Sequence, residues 1–328
     1  MGIIKERRKL NKAIFKAKTV FLMAHKNLDL DALGCQIGMY MVLKRKKKNC
    51  YIIIDDKTHE MGVEKVLREL EGCINIIRSE ELEEHLYPRP AKNLLMILDT
   101  NKTELVQSEE VLGKIKNKII IDHHEQGKTT IADAEKIIDT KTSSTCEMIA
   151  NLIEYYDVEL ESYYATIILS GMVLDTNNFT LNTTAETFYM AYYLTSLGAS
   201  AKKVQYLLKQ NIEDYAERQK LMSSIETLQG NVAFTKATPY TQYRREDLAR
   251  VADTLLFFNN IEASFVIGKI GKDTIGVSAR SLGNYDINSI LEKIGGGGDS
   301  TSGAATFEDT TISKVEQELK KVIKEEGE

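Results

Sequence analysis

Along the first half of the chain, short apolar runs alternate with stretches whose apolar positions recur every three to four residues. Residues 19–24, 51–54, 74–77, 94–98 and 118–121 read as strands. The runs 94–98 and 118–121 are almost wholly apolar, as in parallel strands covered on both faces. Helical spacing marks 33–46, about 143–156 and 160–174. This alternation predicts an α/β fold with a doubly wound, mostly parallel sheet. From about 186 to 229 strand-like runs are missing, and the good helix formers Glu, Lys, Leu, Gln and Ala are frequent. That segment is expected to be helical, broken at Gly198 and continuing over 203–229 as a long connector helix that ends at Gly230. Strand-like runs return at 232–236, 263–270 and 274–279, with helical patterns at 245–257, 287–294 and 313–325. The expected organisation is an N-terminal domain over 1–200, a helical connector over 201–230, and a smaller α/β domain over 231–328.

Composition narrows the function classes. A chain of 328 residues with 43% apolar and 28% charged residues and three prolines is folded throughout, in about two domains. Its 43 basic and 48 acidic residues leave a charge of −5, which argues against a protein that grips long nucleic acid. No apolar run reaches the roughly 18 residues of a membrane span, and the start, rich in Lys and Arg, lacks a signal-peptide core. Cys35, Cys50, Cys73 and Cys146 are widely spaced and form no C-x-x-C pair. They are expected to be reduced thiols of a cytoplasmic protein, or of the cytoplasmic domain of a longer membrane protein. The basic run 44–48 reads as a solvated helix end.

The chemistry-bearing residues cluster where the apolar runs end. His25, Asp29 and Asp31 follow the first run, Asp99 ends another, and Asp122, His123 and His124 end a third. Asp175 closes the helical stretch at 160–174. In an open α/β sheet, strand C-terminal ends converge on the edge where ligands bind. Carboxylates delivered together there would repel unless cations neutralised them. Oxygen donors with a few imidazoles suit Mn²⁺ or Mg²⁺, with Zn²⁺ and Co²⁺ as alternatives, and so many carboxylates suit two ions. The plainer alternative is that each Asp caps a helix. Asp122 in particular fits a loop-supporting role as well as a metal-binding one. In the second half, Ser278 and Arg280 follow a strand-like run, and Gly295, Gly296, Gly297 and Gly298 form a glycine tetrad. Successive glycines can aim backbone N–H groups at an anion, and the Arg fork suits phosphate. A flexible loop and a surface charge are the alternatives.

The pattern H-x-x-x-D-x-D, then D, then D-H-H, then D resembles the DHH phosphoesterase family across essentially the whole chain. The second half resembles the type-1 DHH-associated domain. Within the family, the segments 24–34, 142–147, 174–179 and 277–283 are most similar to the catalytic module of cyclic di-AMP phosphodiesterases. That resemblance implies one Mn²⁺ held by His25, Asp29 and Asp99, and another by Asp31, Asp99, His123 and Asp175, with Asp99 bridging. It implies that His124 faces the substrate phosphate, and that a hydroxide activated by two metals opens cyclic di-AMP to linear pApA. Ser278, Arg280 and the glycine tetrad would bind the nucleotide. The implied partner is a small nucleotide: cyclic di-AMP, pApA or a short oligonucleotide. A homodimer is compatible with this reading.

Three departures from the family pattern stand out. Asp299 occupies the place of a histidine after the tetrad. Asn182 and Glu186 stand where relatives commonly carry arginine, and Leu28 where they carry proline, a change expected to loosen the turn. They keep two alternatives open: an oligoribonuclease that also acts as a phosphatase on adenosine 3′,5′-bisphosphate, and a nucleotide sensor that has lost turnover.

Overall fold

The apolar runs of the first half pair into one sheet. In the computed structural model, which describes residues 2–326 other than Thr58 and Asp299, the chain divides into two units, 1–209 and 210–328. The strands of the first unit are β1 (Thr19–Met23), β2 (Asn49–Ile53), β3 (Ile76–Ile77), β4 (Asn93–Leu98), β5 (Lys118–Asp122) and β6 (Glu135–Ile138). Their order is β3-β2-β1-β4-β5-β6, with every neighbouring pair parallel. The order reverses between β1 and β4, which makes that junction the topological switch point. Residues alternate across the sheet with period two. Val20, Leu22, Met96 and Ile119 belong to one buried cluster, and Phe21, Met23, Leu95 and Ile120 to the other. Cover on both faces is why these strands are apolar throughout. The edge strand β6 carries Glu135 and Lys136 and had no such signature.

Three helices stack on one another beside the switch point: Leu30–Arg45, Thr145–Tyr155 and Ser162–Asp175. Their backbones come unusually close. A Cβ on Gly34 would lie 2.7 Å from Cys146 Sγ, and one on Gly171 would lie 2.8 Å from Asp31 Cα. Two glycines therefore let the helix bearing Asp31 lie against the helix that ends at Asp175. Cys35, Cys50 and Cys146 are buried free thiols and Cys73 is an exposed one.

The expected single connector helix over 203–229 is not what forms. Helix Ala201–Leu207 belongs to the first unit and helix Ile212–Met222 to the second, and the chain then enters strand β7 (Glu226–Leu228). The break has a local cause. Asn211 adopts an extended backbone and its side chain accepts the Glu213 N–H at 2.9 Å, starting a new helix.

The second unit also includes β8 (Val232–Lys236), β9 (Ala263–Lys269), β10 (Thr274–Ser281), β11 (Gly297–Gly298) and β12 (Ser302–Glu308). The sheet order is β11-β12-β10-β9-β8-β7, with β8–β9 parallel and the other pairs antiparallel. Helices Arg245–Leu255, Ile287–Glu292 and Ile312–Glu326 complete the unit, around a core that includes Phe234 and Phe265.

Candidate metal centre

The parallel sheet delivers its histidines and aspartates to one edge. His25 follows β1, Asp99 follows β4 and His123 follows β5, so three adjacent strands open onto the switch point. Asp29 is the N-cap of helix Leu30–Arg45, accepting the Ala32 N–H through Oδ1 at 2.9 Å. Asp31 lies in the first turn of that helix and is fully buried. Its two oxygens accept the Thr145 and Cys146 N–H groups, at 2.8 and 2.9 Å, from the start of the neighbouring helix. A helix N-terminus is a favourable seat for a carboxylate. Asp175, by contrast, sits at a helix C-terminus, where the dipole disfavours its charge. A cationic neighbour is what such a position calls for.

Three sets of ligand atoms gather within 4.8 Å: His25, Asp29 and Asp99; Asp99, His123 and His124; and Asp31, His123 and Asp175. His25 Nε2 lies 3.4 Å from Asp99 Oδ2 and 3.8 Å from Asp29 Oδ1. The other ring nitrogen of His25 is bonded to the Lys26 carbonyl at 2.7 Å, which fixes the tautomer and aims the Nε2 lone pair at the carboxylates. His123 Nε2 lies 3.1 Å from Asp175 Oδ2 and 3.7 Å from Asp99 Oδ1. That nitrogen is buried yet has no hydrogen-bond partner. Together with the oxygen-rich donor set, it is the feature expected of a metal-ligating atom. Asp99 itself has φ +60, a left-handed backbone that aims its side chain into the cluster, and its Oδ1 accepts the Thr145 hydroxyl at 2.7 Å.

Burial and mutual charge shift the ionisable groups of this cluster strongly. Burial works against a charge on His25, yet Asp29 and Asp99 hold its pKa well above the usual value. Burial likewise opposes His123, but Asp175 and Asp99 push it up to about 10. Burial, then Asp99 and Asp175, hold Asp31 well above the carboxylate range. Burial also raises Asp175, with Asp99 and Asp29 adding to the shift against His123. Asp99 goes the other way. Burial raises it, but His25, His124 and His123 outweigh that and bring it below its ordinary value. Divalent cations bound here would relieve the same carboxylate repulsion and displace protons from the imidazoles.

The D-H-H run divides its labour. Asp122 is fully buried and is not itself a member of the three ligand sets. It accepts from His124 N at 3.1 Å and from Asn101 Nδ2 at 2.6 Å, and its Oδ1 holds His124 Nδ1 at 2.8 Å. Of the two readings open for Asp122, the geometry has it supporting the loop. His124 is 52% exposed at the rim, with its pKa raised against burial by Asp122.

Several groups that hold this arrangement carried no legible signal. Gln107 is buried; its amide donates to the His25 carbonyl at 2.7 Å and to Asp56 Oδ2 at 2.8 Å. Asp56 in turn accepts the Leu28 N–H at 3.0 Å. The leucine in place of proline thus does not loosen the turn: it supplies a donor that proline lacks. Glu147 is buried and accepts from the Ser143 and Thr187 hydroxyls at 2.5 and 2.7 Å, tying two helix starts together. Asn182 has φ +48, in the left-handed region where asparagine is at home, and Glu186 lies in the first turn of helix Ala185–Ser196.

In the second unit the residues singled out are largely engaged within the fold. Gly295 N–H donates to the Glu292 carbonyl at 3.1 Å, and Gly296 N–H to the Leu291 carbonyl at 2.8 Å. Gly298 N–H donates to Asn288 Oδ1 at 2.9 Å. Gly297 and Gly298 form the edge strand β11 against β12. A Cβ on Gly296 would lie 2.6 Å from Ala305 Cβ, and one on Gly298 would lie 2.5 Å from Gly303 Cα. The glycines therefore permit close strand packing. Ser278 is buried on β10, and Arg280 donates from Nε to Asp253 Oδ1 at 2.8 Å and from Nη1 to the Ala279 carbonyl. Asp299 lies outside the described residues. Among the described residues no helix is long and apolar enough to cross a membrane.

Comparison with known proteins agrees with this architecture. Residues 19–172 match the DHH family N-terminal domain, and residues 229–326 match the DHHA1 domain. The chain is 35% identical over 318 residues to the cyclic-di-AMP phosphodiesterase GdpP of Geobacillus thermodenitrificans; 96% of the chain aligns, to 48% of that protein. It thus spans about half the length of that relative. It is 25% identical to the bifunctional oligoribonuclease and PAP phosphatase NrnA of Thermus thermophilus, with 94% of the chain aligned to 90% of that protein. A solved exopolyphosphatase-related protein from Bacteroides fragilis shares the fold, with a TM-score of 0.77 at 21% identity, covering 98% of this chain and 97% of that one. The carboxylate and imidazole cluster at the switch point thus sits in a chain that belongs to the DHH family, with a DHH N-terminal domain followed by a DHHA1 domain.

Proposed function

We propose that this chain is a Mn²⁺-dependent phosphodiesterase module that hydrolyses cyclic di-AMP to pApA and acts on short linear dinucleotides. The observation that carries the reading is the convergence of three ligand sets at the sheet's switch point, linked through Asp99 and His123. The likeness to a cyclic-di-AMP phosphodiesterase along 96% of the chain supports the substrate class. His25, Asp29 and Asp99 would hold one cation, and Asp31, Asp99, His123 and Asp175 the other. When bound, the cations supply Lewis-acid activation of water and neutralise charge on the phosphate.

The chain's own residues do the positioning. Asp122 keeps a proton on His124 Nδ1, so His124 at the rim offers a charged donor to a phosphate oxygen. Thr145 and the start of its helix hold Asp99 and Asp31 ready without rearrangement. For the second unit, the support for nucleotide binding is the DHHA1 match. Arg280, with its side chain 23% exposed beside Asp253, carries the charge that could meet a phosphate.

A second reading, an oligoribonuclease and PAP phosphatase, is favoured by the match along 90% of NrnA's own length. Product chromatography separates the two. With Mn²⁺, cyclic di-AMP should give pApA. Cleavage of pApA or adenosine 3′,5′-bisphosphate but not of the cyclic compound would favour the second reading. Tight binding of cyclic di-AMP without turnover would favour a sensor.

A further inference from the structure

The opposite edge of the first sheet has its own charged feature. The N-terminal ends of β4, β5 and β6 and the helix Arg7–Lys16 line a half-open cavity of about 560 Å³. A strand of six residues such as β4 separates it from the candidate metal centre by roughly 20 Å. The volume is that of a small-molecule site. Alanines at 13, 17, 91, 132 and 134 keep the space open.

The lining is basic in a chain whose net charge is −5. Lys9, Lys12 and Lys16 come from one face of the helix, and Lys116 and Lys118 from the entry to β5. Two carboxylates also line it: Asp133 is taken up by the buried Lys118 at 2.5 Å, and Glu135 acts on Lys9, which pairs with Glu6 at 2.8 Å. Lys12, Lys16 and Lys116 have no acidic partner among the described residues. The helix C-terminus accounts for Lys16 alone, since Lys12 lies mid-helix and Lys116 lies on another element. The amides at the floor offer little to a nucleobase. The Asn93 side chain is spent on both backbone groups of Tyr87, and the Asn117 amide donates to the Asn93 carbonyl.

We propose that this cavity binds a compact, multiply charged phosphate anion, at a site separate from the metal centre. Three ammonium groups brought to one cavity from two elements match a chain of phosphoryl groups, and with the Asn93 side chain spent within the fold, charge is the main basis of recognition. The proposal does not depend on the catalytic reading.

The test is calorimetric titration of the metal-free full chain with inorganic tripolyphosphate at low ionic strength. Without cations the candidate metal centre is rich in carboxylates and should repel this probe. The expected result is saturable one-to-one binding, weakened about tenfold or more by the Lys12→Glu, Lys116→Glu double variant and unchanged in His124→Ala. Both lysines are exposed, and an unchanged melting temperature would show that the double variant folds. No saturable binding, binding indifferent to the lysines, or binding lost in His124→Ala would each overturn the proposal. So would lysine-dependent sedimentation with phosphatidylglycerol vesicles in a chain that ignores tripolyphosphate, since that would mark a membrane-facing surface.

Discussion

The end of the first sheet and the glycine run of the second unit were both conspicuous in the sequence, and the fold uses them in opposite ways. At the sheet end, strand geometry brings donors together and leaves His123 Nε2 buried among carboxylates without a hydrogen bond. In the glycine run, the N–H groups of Gly295, Gly296 and Gly298 are bonded within the fold, and the missing side chains admit β12. A motif that points to a ligand leaves polar atoms unsatisfied, whereas one that serves packing consumes them.

The largest effect that would sharpen this contrast is expected from Asp99→Ala. Losing the shared carboxylate should remove several kcal/mol of transition-state stabilisation, about 10³-fold or more in kcat/KM. Steady-state hydrolysis at saturating Mn²⁺, with circular dichroism as the folding control, checks this. Activity within tenfold of wild type would break the assignment. Next comes Gln107→Ala, which frees the His25 carbonyl and Asp56 without touching a proposed ligand. It should weaken Mn²⁺ binding by about 10–100-fold in calorimetry, the usual cost of losing a group that orients a ligand.

A smaller effect concerns protons. In the metal-free chain the His123 pKa is raised to about 10, above the roughly 6.5 of a free imidazole. Its pairing with Asp175 therefore stabilises the fold fully below about pH 6.5, and that contribution is lost as pH rises through about 10. The melting-temperature difference between metal-free wild type and His123→Gln should shrink across that window. Mn²⁺ affinity should rise across it, because binding displaces fewer protons. A constant difference would show that the pair does not titrate as described. The smallest change at the metal centre is expected from Gly298→Ala. It should lower stability by about 1–3 kcal/mol in denaturant melts, through the clash with β12, and leave Mn²⁺ affinity as it was. An unchanged melt would mean that the tetrad is open loop after all.

How much was legible follows from where each signal lies. Strands β1, β4 and β5 were readable because cover on both faces makes them apolar throughout, and His25, Asp99 and His123 were readable because they end or follow those runs. The edge strand β6 and the small-residue strand β12 lack that signature. The break between the helices at Ala201–Leu207 and Ile212–Met222 was marked by Asn211, a capping residue inside a run of strong helix formers. Gln107 could not be found, because its role is a tertiary bond to a carbonyl 82 residues away. Asp122 shares its sequence run with His123, and only the turn of its carboxylate toward Asn101 separates their roles.

The most direct test is anomalous diffraction from crystals of the chain grown with Mn²⁺. The account predicts two peaks about 3.5–4 Å apart at the ends of β1, β4 and β5, with Asp99 between them. No peak at that edge, or Mn²⁺ bound only elsewhere on the chain, would contradict it.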